Sequence, residues 1–145
     1  MSAHPIGPVI EDPAHVVHRQ VRPAWVQGGR VTSQVWKCEP LDEGLLSLAD
    51  GEKRTPQAAY EFHRSLGFDS VGTLSTTVGM FKDLCVTVSH DAYTLARDRV
   101  DDPHHVCADL RRLTNSEGKR LASKISELKL PFSYQRPEAP ASQPS

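Results

Sequence analysis

HVVHRQVRPAWVQGGRVTSQVWKCEPLDEGLLSL, residues 15–48, is the stretch that sets the fold class, since it holds both tryptophans and the densest run of β-branched side chains. Its first part, HVVHRQV, predicts a strand. Alternation puts Val17, Arg19 and Val21 on one face and Val16, His18 and Gln20 on the other. Pro23 has no N–H to give a ladder and ends the strand, and Gly28-Gly29 supplies the permissive backbone of a turn. Residues 31–37 predict a second strand, with Val31, Ser33, Val35 and Lys37 opposed to Thr32, Gln34 and Trp36. Residues 45–48 make a third, shorter one, closed by the turn pair Asp50-Gly51.

Outward from there the pattern changes period. Thr55 suits an N-cap, Pro56 the first helical position and Gly67 the position after the last turn. Between them Ala59, Phe62 and Leu66, with Ala58 beside them, predict one inward stripe. Residues 71–90 suggest a hairpin turning near Phe81, Lys82 and Asp83, with Leu84, Val86 and Val88 alternating against Cys85, Thr87 and Ser89. Residues 92–100 fit either a short helix capped by Asp91 or a surface loop. Residues 104–110 fit a strand, the preferred choice, or a helix starting at Asp102 and Pro103. A last helix is expected over residues 115–128, with Thr114 and Glu117 as a capping box and Leu121, Ala122, Ile125 and Leu128 facing inward. The fold expected is α+β: a small antiparallel sheet with one or two helices packed on a face, and disordered ends. Residues 14–130 form the single domain, residues 1–13 a flexible arm marked by Pro5, Pro8 and Pro13, and residues 131–145 a disordered tail.

Composition narrows the function classes. Of 145 residues, 17 are basic and 18 acidic, a net charge of −1 that offers no electrostatic capture of nucleic acid or anionic lipid. No apolar run approaches the length of a membrane span, and residues 1–19 lack the basic and apolar regions of a signal peptide. The three cysteines, Cys38, Cys85 and Cys107, are an odd and widely spaced set, which suits a reducing compartment, so a cytoplasmic location is expected.

His15, His18, His104 and His105, with Cys107 nearby, are the candidate metal ligands. Zinc needs about four donors converging on a tetrahedron. Strand residues three apart face opposite ways, and neighbours diverge, so no metal is expected. Cys85, mid-strand between apolar neighbours, is expected to be packing, and Cys38, at a strand end, to be exposed. No phosphate-cradling glycine loop and no nucleophile elbow occurs. Arg19 is the residue that asks for an explanation. A guanidinium in an apolar strand is costly to bury unless its fork meets a carboxylate or a phosphate. The internal partners on offer are Asp42, Glu43 and Glu61; the external one is a ligand phosphate, held by Arg19, Arg30 and Trp36.

The runs HRQVRPAWVQGGRVTSQVW, LDEGLLSL, TPQAAYEFH and VGTLSTTVGM resemble a group of small bacterial hypothetical proteins over residues 15–110. That resemblance implies a bacterial setting and no particular activity. The order HRQV, GGRVTSQ and a helix bearing Glu61 is similar to RES-type and ADP-ribosyltransferase-like NAD-consuming domains, which set an arginine on the first strand and a glutamate on a later element. Val31 and Thr32 stand where RES domains carry an aromatic residue and an asparagine, and no later serine or Glu-x-Glu site follows. Two expectations result. The first is a small cytoplasmic accessory or binding module without a cofactor, acting through a protein partner in a defence or toxin–antitoxin-like setting. The second is an NAD- or nucleotide-handling enzyme using Arg19, Ser33 and Glu61. The direction in which Arg19 points separates them.

Overall fold

The computed structural model describes residues 6–38, 44–91 and 102–137. Eight antiparallel strands and three helices follow one another: β1 (Val16–Val21), β2 (Val26–Gln27), β3 (Arg30–Val31), β4 (Leu45–Asp50), α1 (Pro56–Ser65), β5 (Gly72–Thr77), α2 (Val78–Asp83), β6 (Thr87–His90), β7 (His105–Asp109), α3 (Asn115–Glu127) and β8 (Phe132–Gln135). Six strands form one sheet in the order β6-β7-β4-β1-β5-β8, while β2 and β3 make a separate small hairpin. This is the expected α+β architecture. Among the described residues no helix is long and apolar enough to cross a membrane.

Alternation divides the sheet into two faces. One carries Val17 and Val21, Leu46 and Leu48, Leu74, Val88, Val106 and Ala108, all buried. Onto it pack Leu121, Ala122 and Ile125 of α3, Val78 and Phe81 of α2, and Val35 and Trp36, which join them in one core. The opposite face, around His18, Gln20 and Thr73, is covered by α1. Thr73 Oγ1 donates to the Pro56 carbonyl at 3.0 Å, and Tyr60 lies against Tyr134 of β8 with ring centroids 5.1 Å apart.

Both long helices begin as their sequences dictate. The Thr55 hydroxyl accepts from the Ala58 amide with Pro56 opening α1, and Thr114 and Glu117 close a full capping box on α3. Their inward faces differ from expectation at the C-terminal turns. In α1, Tyr60 is buried with Ala59, and Leu66 is exposed; in α3, Leu128 is exposed.

Four other expectations are corrected. Residues 31–37 are not one strand: only Val31 pairs, in β3. After the hairpin turn, where Gly28 and Gly29 both take positive φ, the chain forms a 3-10 turn over Ser33–Trp36 that buries Val35 and Trp36 together. Consecutive burial is something alternation cannot deliver. Residues 71–90 are not a hairpin either: β5 and β6 lie far apart in the sheet, and α2 stands between them. Thr77 caps α2 by accepting from the Met80 amide, and Val78 and Phe81, at i and i+3, bury the same side. Residues 7–10 of the N-terminal arm are not loose: the Gly7 and Ile10 amides donate to the His90 and Val88 carbonyls, the Pro8 carbonyl accepts from the His90 amide, and Ile10 is buried. Residues 132–135 are not disordered, because Phe132–Gln135 pairs with β5 as β8, and residues 138–145 lie outside the described residues. Residues 92–100 lie outside the described residues. Residues 105–109 form a strand, as preferred.

Candidate interaction surface

The residues singled out from the sequence do not meet. Arg19 is 8% exposed and points into the core face. Its Nε donates to the Val35 carbonyl at 2.7 Å and its Nη1 to the Ser47 carbonyl at 2.9 Å, and the guanidinium lies 5.1 Å from the Trp25 ring centre. β1 and β4 pair at Val17–Asp50 and His18–Ala49, and the Ser47 carbonyl beyond that stretch is the one Arg19 reaches. Glu61 is exposed on α1, on the other side of the sheet, where it accepts from Gln57. Ser33 opens the 3-10 turn half-buried, Arg30 is exposed on the hairpin, and Trp36 is a core residue set edge-on to Phe81. Asp42 and Glu43, the other internal partners considered for Arg19, lie outside the described residues.

The histidines also go separate ways, as alternation requires. His15 Nε2 is 2.7 Å from Asp50 and its Nδ1 3.3 Å from Glu52. His18, on the other face, contacts Ser75 and the Arg54 carbonyl. His105 lies against Asp91, while the backbone amide of His104 is tied to Asp102. Among the described residues no three histidine, cysteine, aspartate or glutamate side chains are grouped as metal ligands. Cys107 is buried, and burial, with Asp91 and Asp109 adding to it, pushes its thiol up to about 12. Cys38 is half-buried. Cys85 is exposed in the turn after α2 at φ 63°, not packed in a strand.

What the fold does assemble lies at the end of the sheet where β1 stops, β5 starts and β8 stops. Val71 N–H donates to the Val21 carbonyl, and Arg136 N–H donates to the Val71 carbonyl, so the three strand ends are level. The last turn of α1 and the loop to β5 come down beside them. Leu66 and Phe68, 38% and 47% exposed, flank Gly67 there. Phe68 lies on the His63 ring at 5.2 Å. Asp69 Oδ1 accepts from Arg64 at 2.7 Å and from Arg136 at 3.1 Å, so one carboxylate serves two guanidinium groups that are otherwise nearly half exposed. Arg22 adds a third guanidinium, exposed and 5.1 Å from the half-buried Trp25 ring.

His63 reports the electrostatics of this surface. Its buried Nε2 has no hydrogen-bond partner among the described residues. Burial, followed by the charges of Arg19, Arg22 and Arg64, holds the ring down at about 4, so it is neutral under a cationic surface. Aromatic and arginine side chains side by side are what the energetic centres of protein interfaces are made of. Leu66 was hidden from sequence inspection by its assignment to the inward stripe of α1. The signal for Phe68 was an apolar residue placed directly after a helix-ending glycine. No family model, no curated protein and no solved structure matches the chain.

Proposed function

We propose that this protein is a small accessory module that binds an acidic segment of a protein partner at the Leu66–Phe68 surface. The observation that carries the proposal is the exposed Leu66 and Phe68 beside Arg64 and Arg136, two arginines sharing one internal carboxylate. A partner carboxylate can meet the remaining donors of both forks, while an apolar side chain covers Phe68. The bacterial setting implied by the resemblance over residues 15–110, the cytoplasmic location expected from the odd, widely spaced cysteines, and a defence or toxin–antitoxin-like pairing belong to the same proposal. Handling NAD through Arg19, Ser33 and Glu61 would need those residues at one ligand, and the sheet separates Arg19 from Glu61.

The test is a photo-crosslinking amino acid at position 68, expressed in the native host, with Lys124 on α3 as the control position. The expected result is an adduct at an acidic segment of one protein, lost when Arg64→Glu and Arg136→Glu are combined. Adducts no more frequent than at the control position, or indifferent to the two charge reversals, overturn the proposal. So does a thermal shift with NAD that is abolished by Arg19→Ala, because a bound ligand stabilises by mass action.

A further inference from the structure

Among the buried histidines, His15 and His105 lie against carboxylates, whereas His18 lies between a carbonyl and a hydroxyl. That difference decides its chemistry. His18 is 2% exposed, and its Nε2 is 2.9 Å from the Arg54 carbonyl. A carbonyl only accepts, so Nε2 carries the proton and the neutral ring presents a bare lone pair at Nδ1. Nδ1 is 2.7 Å from Ser75 Oγ, on the residue directly across the strand pair. Ser75 is half-buried and Ser133 exposed; Ser75 Oγ donates to Ser133 Oγ at 2.6 Å and Ser133 Oγ to the Thr73 carbonyl at 3.0 Å, and rotation of the Ser75 hydroxyl turns its proton onto His18 Nδ1 instead. The first turn of α1 stands beside this line, tied to β5 through Thr73 and the Pro56 carbonyl.

We propose that Ser75 is a nucleophile toward small activated esters, with His18 as its general base. Ser75 Oγ attacks the carbonyl carbon while its proton passes to His18 Nδ1. The tetrahedral oxyanion collapses, the C–O bond to the leaving group breaks, and the departing alkoxide takes the proton from His18. Water then attacks the acyl-serine and gives its proton to Nδ1. The acid is released and Ser75 recovers its proton. The Arg54 carbonyl positions the ring throughout, as a third group orients the base in other nucleophile–base pairs. Burial lowers the His18 pKa, so the ring is in its proton-accepting form at neutral pH. None of this depends on the docking surface.

A fluorophosphonate probe on the full-length folded protein tests the proposal, with the modified peptide located by mass spectrometry. The expected result is one label per chain on Ser75, none in Ser75→Ala, and none after denaturation. His18→Gln, checked for a cooperative melt, should slow labelling by roughly a hundredfold. The wild-type rate should fall in acid as His18 is protonated, a readout that needs no variant to fold. No label on the folded wild type, a label elsewhere, a rate independent of pH, or a folded His18→Gln that labels at the wild-type rate would each leave a packing hydrogen bond only and overturn the proposal.

Discussion

Arg19 shows how a single side chain can be costly and necessary together. It sits where alternation puts it, between Val17 and Val21 on the core face, and its charge is met by the Val35 and Ser47 carbonyls and the Trp25 ring. Those carbonyls belong to two segments that the sheet does not join there, so the guanidinium stitches the 3-10 turn over Ser33–Trp36 to β4. Removing it would leave buried acceptors without donors and a void beneath Trp25. Arg19→Ala should therefore cost about 3 kcal/mol in urea unfolding, at about 1–3 kcal/mol per unsatisfied buried group. Arg19→Lys should recover only a minor part, because one ammonium cannot span the two carbonyls that Nε and Nη1 reach. An Arg19→Lys protein as stable as wild type would show that the charge matters and the fork does not.

At the scale of elements, both sheet edges are extended by segments whose local sequence understates them. Residues 7–10 run along β6, and β8 runs along β5 between Pro131 and Pro137. Prolines and polar residues gave both segments the composition of loose ends, yet each contributes a few apolar side chains at alternate positions. Phe132 packs partly against the core and Tyr134 against Tyr60. A chain ending at Leu130 should thus be less stable than one ending at Pro137 by about 2–4 kcal/mol, the order of burying two aromatic side chains in part. Equal melting temperatures for the two truncations would mean that β8 adds nothing to the sheet. Where the elements are bounded by caps, sequence inspection placed them well: Thr55-Pro56 and Thr114 with Glu117 mark starts that no packing has to decide. It failed at α2, where a valine-rich run suggested strands. The i, i+3 pair Val78 and Phe81 behind Thr77 was the signal available there.

For the whole molecule, buried titratable groups set an acid limit with two windows. His63 falls from its ordinary 6.5 to about 4, and His18 shifts in the same direction, burial being the leading cause for each. The unfolded chain takes up these protons near pH 6.5 and the folded chain does not. Their stabilisation is therefore present above pH 6.5 and lost as pH falls below it, for His63 toward 4. Asp50 acts lower down. Burial alone would lift its carboxyl, but the Glu52 amide and the His15 ring hold it below the usual range, so its contribution disappears as pH falls through that lowered value. The melting temperature should decline in both windows. His63→Gln should flatten the upper one and leave the lower one in place; a wild-type melting temperature constant from pH 7 to 4.5 would contradict the buried neutral histidines.

Taken alone, the chain determined the class of fold, the capped helices, the faces of β1 and the divergence of its histidines, because caps and alternation act over a few residues. Arg19 was recognisable as a buried cation needing partners. Only the tertiary structure decided what those partners were, that β1 lies between β4 and β5, and that Arg64, Phe68 and Arg136 share one surface. It also decided that Ser75 lies across from His18. Each of these depends on strand order and register, which are set by summed burial over segments distant in the chain and leave no mark within any one of them.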